Sequence, residues 1–488
     1  MTSKILINAV APEVCRIAKV KNSRLEEFHI ETASRESLKG NIYKAVVARV
    51  EQGLQAVFVN YGVEKNGFLQ KHEIHPDYFQ GSFDPGQSIK QLVKTGQEIL
   101  VQVMKDPIQS KGAMLTTFIS LAGRHIVLMP GGRSRGISRK IEGEEERYRL
   151  KDIMGKLKIP EDFGVIIRTA GSGATKTAIE KDIRYLMRVW KNIKKSVMQE
   201  TAPALLYKER NLLLRSMRDY FTPDVSEILV DDVPAHREAK KFLSVISPKH
   251  TKIVKLHKGD KPIFTKFQLE DQINSIYESR VNLKSGGSIV IEQTEALVSV
   301  DVNSGKATGE KTVEQTALNT NLEAAEEIAR QLCLRDLGGI IAVDFIDMKD
   351  RKHNAKVEQT LKSFLKKDKA KTKVGKISRF GVMEMSRQRI RPSIDFGSFE
   401  PCPYCRGKGM APSVQTLGLS LMRKLQLKTL KDSAVDLKVR VPEKLADYLL
   451  NKKRKDIHDL EAKHGISITI QPDASLLPEE NRIVSNGS

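Results

Sequence analysis

The chain has 488 residues and a formal net charge of +22, with a pI near 9.6. That length predicts three or more domains with sizeable cores, and the charge favours a polyanionic partner, nucleic acid first and an anionic membrane surface second. No apolar run reaches the roughly 18 residues of a membrane helix, the amino terminus lacks the pattern of a secretory signal, and Cys15, Cys333, Cys402 and Cys405 are too sparse for a disulfide scaffold. A soluble cytoplasmic protein is expected.

Short strands open the chain, ILINAV and then VCRIAKVKNSRLEEFHIE. From Gly40 the texture is β only, with NIYKAVVARV, LQAVFVNYG, NGFLQ and EILVQVMKD broken by frequent turns, as in a small barrel that KGAMLTTFISLAG closes near residue 122. A Gly/Arg-rich loop follows (Pro130–Lys140), then a charged helix, a buried strand GVII running into a glycine turn, and the long helix TAIEKDIRYLMRVWKNIKKSVM. A further αβ stretch runs to about residue 277, carrying EILVDD and the helix AHREAKKFLSVI. SIVIEQTEALVSVDVNSG reads as a β-hairpin after Gly286 and Gly287. The helix TNLEAAEEIARQLCLRDLGG comes next, with Thr320 or Asn321 as its cap and Gly338 or Gly339 as its stop, and it feeds the strand IIAVDFID. Beyond the basic run Lys366–Arg391 lie PCPYCRGKGM and, after about residue 414, a small αβ module.

Two stretches carry an Asp inside a run of strand formers: Ser299–Gly309 and Gly338–Met348. A buried unpaired carboxylate is costly, so these aspartates ask for a cation, and a hard divalent one suits them. Asp301 falls where a strand gives way to an Asn-Ser-Gly turn. Asp344 and Asp347 are three residues apart and point to opposite faces of an extended strand, so only one of them can join Asp301 directly. Two carboxylates from separate strands suit Mg²⁺, which leaves positions for water and phosphate oxygens and can activate a water beside a phosphodiester. Asn303 can orient either partner. The competing reading makes these aspartates turn or cap residues bonded to backbone.

Cys402 and Cys405 in CPYCRGKG have the look of a zinc knuckle, yet a structural zinc normally takes four protein ligands. Either two chains share the metal, two thiolates each, which predicts a symmetric dimer, or no metal binds. A redox CxxC at a helix start is the other option, which the following GKG disfavours. In the β-rich block, Phe58 points away from Val57 and Val59 and is free to stack on a base; Tyr61 and Phe68 stand near it among Lys44, Arg49, Lys65 and Lys111, and small-core packing is their alternative. Arg168 and Thr169 end a strand before glycines, where they can hold a phosphate or belong to an ordinary surface turn. GSGATKT and NSGKATG lack Walker spacing, so ATP or GTP hydrolysis is not indicated. The run Lys366–Arg391 reads as a solvated face that attracts RNA backbone.

With these residues in view, the chain resembles the ribonuclease E/G family nearly end to end, through NIYKAVVARVEQGLQAVFVNYG, NGFLQ, KGAMLTTFISLAG, GVIIRTAG, IEQTEALVSVDVNSG, NTNLEAAEEIARQLCLRDLGGIIAVDFIDM and the CPxCxGxG pattern, in the family's order. Its length looks like the short ribonuclease G type. The resemblance implies a multidomain α/β and β fold. Residues 1–38 plus 214–277 would form a discontinuous RNase H-like domain, 39–122 an S1-type OB barrel and 123–213 a 5′-sensor domain. Residues 278–400 would form a DNase I-like catalytic domain, 401–414 a zinc link and 415–488 a small oligomerisation domain. It implies a Mg²⁺-dependent endoribonuclease that cuts single-stranded A/U-rich RNA to 5′-phosphate and 3′-hydroxyl ends in rRNA maturation and mRNA decay. A substrate 5′-monophosphate would stimulate it. Asp301 and Asp344 match the Mg²⁺ ligands, Asn303 the accessory polar residue, and Asp347 a supporting one. Arg168 and Thr169 match the 5′-monophosphate pocket, Phe58, Phe68 and Lys111 the RNA grip, and Cys402 and Cys405 a Zn²⁺ shared between protomers of a homodimer able to pair into a tetramer. The rivals are a non-catalytic S1-type RNA-binding scaffold, whose aspartates are structural, and a nuclease directed at DNA.

Overall fold

The computed structural model describes residues 2–11, 13–32, 37–80, 87–107, 111–209, 211–222, 224–305, 312–389, 393–394, 399–400, 402–431 and 436–486. Lys306–Gly309 of the first aspartate stretch, Ile390 and Arg391 of the basic run, and Pro401 lie outside them. The chain divides into two compact units, Met1–Phe396 and Gly397–Ser488.

In the first unit, strand Ser3–Asn8 pairs in parallel with Val225–Val230 and antiparallel with Val14–Lys21, so the start of the chain shares a five-stranded sheet with a segment far along it. Between these segments, strands Ile42–Glu51, Ala56–Asn60, Gly67–Gln70, Met114–Thr116 and Glu98–Lys105 close on themselves through the pairing of the first with the last. The result is a five-stranded barrel, with Ala204–Tyr207 added outside the ring against Ile42–Glu51. Period-two alternation fills it: Ala45, Val47, Val57, Val59 and Leu69 point inward, while Phe58 and Phe68 remain on the outer side. Tyr61, expected near the RNA-facing aromatics, is instead a core residue, 1% exposed and edge-on to Tyr43.

A four-stranded sheet follows, ordered Arg135–Ile137, Phe163–Ile167, Ile126–Pro130, Leu121–Ala122. The Gly/Arg-rich stretch read as a loop therefore contributes a short strand. The helix Lys176–Gln199 covers this sheet with Ile179, Ile183, Leu186 and Ile193.

The third large sheet has six strands in the order Arg280–Asn282, Ser288–Gln293, Leu297–Asn303, Gly339–Asp344, Val382–Arg387, Thr372–Ile377. Val298, Val300, Val302, Ile341 and Val343 bury one face against the helices Val313–Leu334 and Arg351–Leu365. The first of these helices starts eight residues before the expected cap: Thr312 is the N-cap, its side chain accepting from the Gln315 amide, and Thr320 and Asn321 are buried within the helix. It also ends before Gly338, at Leu334, and Asp336, just past that end, takes a left-handed conformation (φ 49°). Arg387 departs from the solvated face expected of the basic run. It is 3% exposed and paired with Asp368 (2.6 Å) and Asp336 (3.2 Å).

The second unit holds a helix, Val414–Lys431, and a three-stranded sheet in which Asp436–Val441 lies between Ser467–Pro472 and Arg482–Asn486. Leu437, Val439, Val441, Leu445 and Leu449 are among its core residues.

Candidate active site

Strand register creates the central feature of the six-stranded sheet. Leu297–Asn303 and Gly339–Asp344 run parallel with Asp301 directly opposite Asp344, and neighbouring strands lie about 4.8 Å apart. Because Val300, Val302 and Val343 face the helices, both carboxylates emerge on the other, solvent face. The expectation that these aspartates are buried is therefore corrected: Asp301, Asn303, Asp344 and Asp347 are all exposed. Alternation explains the difference, since the flanking valines go inward and every second position does not. Among the described residues neither carboxylate has an ion-pair partner, so what would favour a cation here is mutual repulsion across the register pair and not burial. Asn303 donates from Nδ2 to Asp301 Oδ2 at 2.7 Å, orienting that carboxylate.

The parity argument that set Asp347 apart from Asp344 lacks its premise of a continued strand. The strand ends at Asp344, so strict alternation does not extend to residue 347. The Ser378–Gly381 turn lies beside both side chains: a Cβ built on Gly381 would stand 3.0 Å from Asp347 Oδ1 and 3.8 Å from Asp344 Oδ1. Gly381 also has φ +79°, so glycine alone fits this approach without strain. Asn321, read as a helix cap, instead holds the segment between the two aspartates. Its Nδ2 donates to the Ile346 carbonyl at 2.8 Å and its Oδ1 accepts from the Ile346 amide at 3.1 Å. Its place on the same stripe as Leu318, Ala324, Ala325 and Ile328 is the signal that would have found it, since a polar residue at a core position needs buried partners.

At the strand end Phe163–Ile167, Arg168 donates from Nη1 to the Gly123 carbonyl at 2.6 Å and from Nη2 to Asp219 Oδ1 at 2.7 Å. Thr169 is exposed, with its hydroxyl 3.3 Å from that of Ser138. Asp219 comes from the helix Leu212–Tyr220 and also binds Arg218. Burial works to raise the Asp219 pKa, but the guanidinium groups of Arg218 and Arg168 outweigh it and hold the carboxyl well below the usual carboxylate range. Nothing in the local sequence around Arg168 announces this partner.

On the barrel, Phe58 and Phe68 are direct cross-strand partners with ring centroids 5.7 Å apart, and the Arg49 guanidinium lies 4.9 Å over Phe58. Lys111 is exposed at the start of the segment that brings Met114 beside Phe68. The adjoining Gly112 is needed there, because a Cβ would come within 2.0 Å of the Asn66 carbonyl oxygen.

Cys402 and Cys405 sit in a turn, nine residues ahead of the helix that begins at Val414, which is not a redox CxxC geometry. Backbone amides of Gly409 and Gly407 draw the Cys405 thiol below its ordinary pKa, with the Cys402 side chain also in hydrogen-bond reach. Amides turned toward sulfur suit a thiolate ligand. Burial, by contrast, pushes the Cys15 and Cys333 thiols up to about 12. Among the described residues, no cluster of three or more His, Cys, Asp or Glu side chains forms a metal site within the chain. No helix among them is long and apolar enough to cross a membrane.

Comparison with known proteins matches residues 120–390 to the Ribonuclease E/G family, residues 37–106 to the S1 RNA binding domain, and residues 401–486 to the RNase E/G, Thioredoxin-like domain. The chain belongs to the ribonuclease E/G family. It is 43% identical to ribonuclease E of Haemophilus influenzae over 97% of its own length and 51% of that protein. It is 42% identical to ribonuclease E of Escherichia coli over 96% of its length and 45% of that protein. With ribonuclease G of Escherichia coli it shares 40% identity over 87% of its length and 88% of that protein. The chain thus spans about half the length of the ribonuclease E relatives, and the G-type match is compatible with the short-type reading.

Proposed function

We propose that the protein is a Mg²⁺-dependent endoribonuclease acting on single-stranded, A/U-rich RNA in the cytoplasm, in rRNA maturation and mRNA decay. The observation that carries this reading is the in-register pair Asp301 and Asp344 on the open face of the sheet. When bound there, Mg²⁺ supplies the activation of a water and the neutralisation of charge on the phosphodiester. Asp301 and Asp344 are the residues that would hold it, and Asn303 keeps the Asp301 carboxylate turned toward the shared face. Phe58, Phe68 and Lys111 grip the strand, the rings by stacking and the ammonium by phosphate contact. Arg168 and Thr169 receive a 5′-monophosphate, and its binding favours the productive form. In this reading residues 278–400 form a DNase I-like catalytic domain, and 1–38 with 214–277 a discontinuous RNase H-like domain.

The Cys402 and Cys405 pair supplies two of the four thiolates of a Zn²⁺ shared by two chains, and the small αβ module of residues 415–488 supports further pairing into a tetramer. Replacing Cys402 with Ser should release zinc and shift the assembly to smaller species; a dimer indifferent to this change and to chelation would end the shared-metal idea.

The direct test uses an A/U-rich RNA of about a dozen nucleotides carrying a 5′-monophosphate, incubated with and without Mg²⁺, with product ends mapped. Internal cuts that need Mg²⁺ and leave 5′-phosphates and 3′-hydroxyls are expected. Binding without cleavage under metal-replete conditions would transfer the reading to an RNA-binding scaffold, and equal cutting of a DNA strand would broaden the substrate class.

A further inference from the structure

Next in sequence to Gly381, the glycine that lies against Asp344 and Asp347, is an aromatic residue that the reading above does not use. Phe380 lies in the turn joining Thr372–Ile377 to Val382–Arg387 and is 72% exposed. A single exposed ring is ordinary on a protein surface; what sets Phe380 apart is how it is held and what flanks it. The turn is not loose. Ser378 N donates to the Val382 carbonyl at 2.9 Å, Gly381 N to the Ser378 carbonyl at 3.1 Å, and Phe380 N to Ser378 Oγ at 3.3 Å. Its far end is anchored at the site itself, because Phe345 N donates to the Gly381 carbonyl at 3.4 Å and Val382 is the register partner of Asp344. Phe380 thus directly precedes Gly381, the position that lies near one carboxylate oxygen of each of Asp344 and Asp347.

Its surroundings say what would cover it. The Arg379 guanidinium stacks over the ring at 4.8 Å from the centroid, and Lys371, Lys373, Lys376 and Arg379 are all exposed along the incoming strand and turn. A fixed ring backed by a guanidinium and approached along a row of cations matches a single-stranded nucleic acid: phosphates follow the cations and a base stacks on the ring.

We propose that Phe380 is a stacking post for the nucleobase next to the scissile phosphate, with Arg379 steadying the ring. This inference rests on the endoribonuclease reading and extends it. Phe58 and Phe68 would hold the strand on the barrel, while Phe380 sets which phosphate enters between the carboxylates. It is a substrate-positioning residue with no share in proton transfer.

The experiment compares Phe380→Ala, Phe380→Trp and Phe380→Leu on one mapped RNA oligonucleotide. One base–aromatic stack predicts a fall in kcat/KM of about five- to a hundredfold for Ala, recovery with Trp, and none with Leu. In parallel, RNAs carrying 2-aminopurine at successive positions are bound to the Asp344→Asn chain. Fluorescence should be quenched at the nucleotide flanking the mapped cut, and the quench should vanish when Phe380→Ala is added. Unchanged cleavage by Phe380→Ala, equal recovery by Leu and Trp, or an altered oligomeric state with the quench intact would each overturn the proposal. Failure of the wild-type chain to cut would instead sink the parent reading, and the fluorescence series would still decide the stack.

Discussion

At the carboxylate pair, position is a property of the backbone: Asp301 and Asp344 meet because two parallel strands are in register and valines on either side turn inward. At Arg168, position is a property of side chains. The guanidinium is held by the Gly123 carbonyl and by Asp219, itself bound to Arg218, which reaches Glu209 at 3.1 Å. A site built on ladder hydrogen bonds tolerates change around it but not in it. A site built on an ion network should respond in steps to the loss of any member.

Replacing Asp301 or Asp344 with Asn should therefore have the largest effect. The strands stay paired, and one charge of the pair is gone. Cleavage should fall by roughly a hundred- to a thousandfold, the scale of losing one electrostatic partner at a reacting centre. RNA affinity should be unaltered in a gel-shift assay, because the groups proposed to grip the strand are untouched. Equal loss of binding and cleavage would mean that the carboxylates serve the fold and would erase the contrast.

Asn321→Leu probes the seam between the two modes, since a side chain here positions a backbone segment. Losing both contacts to Ile346 leaves two part-buried backbone groups without these partners, at up to about 1–3 kcal/mol each where water cannot replace them. Thermal melting should occur a few degrees lower, with cleavage reduced by about tenfold. A lowered melting temperature with full activity would show that the Asp344–Asp347 segment needs no clamp.

These cases also mark what was legible beforehand. Alternating valines around Asp301 and Asp344 gave away the strands, and the turn sequence after Asp301 gave away a strand end. The glycines that follow CPYC bring backbone amides to the Cys405 sulfur, a contact carried within one short segment. Asn321 was misread because a helix-capping Asn and a mid-helix Asn look alike until the start at Thr312 is known. Asp347 lies beyond the reach of period two, which holds only while the strand lasts, and this one stops at Asp344. Asp219 and Gly381 were invisible for a different reason. Their roles depend on contacts between segments far apart in the chain, which no local pattern carries.

The smallest effect, and the sharpest test of the ion network, belongs to Asp219→Asn. A neutral amide keeps the shape and removes the charge that faces Arg168 and Arg218. If Asp219 positions Arg168 for a phosphate, the preference for a 5′-monophosphate over a 5′-hydroxyl substrate should drop by about fivefold, the low end of coupling between distant sites. Cleavage of the 5′-hydroxyl RNA should not change. A rise in the preference would mean that Asp219 competes with the phosphate for Arg168. Stability supplies the control. The folded-state pKa of Asp219 is depressed by its guanidinium neighbours, so its contribution is fully present above the unfolded value of about 3.9 and is lost as pH falls through the folded value. The wild-type chain should therefore melt higher than Asp219→Asn at pH 7, and the gap should narrow only as the pH drops below about 4. A gap that is small at pH 7 and widens as the pH falls through about 6.5 would point to a histidine as the charged partner, and the network drawn around Arg168 would be wrong.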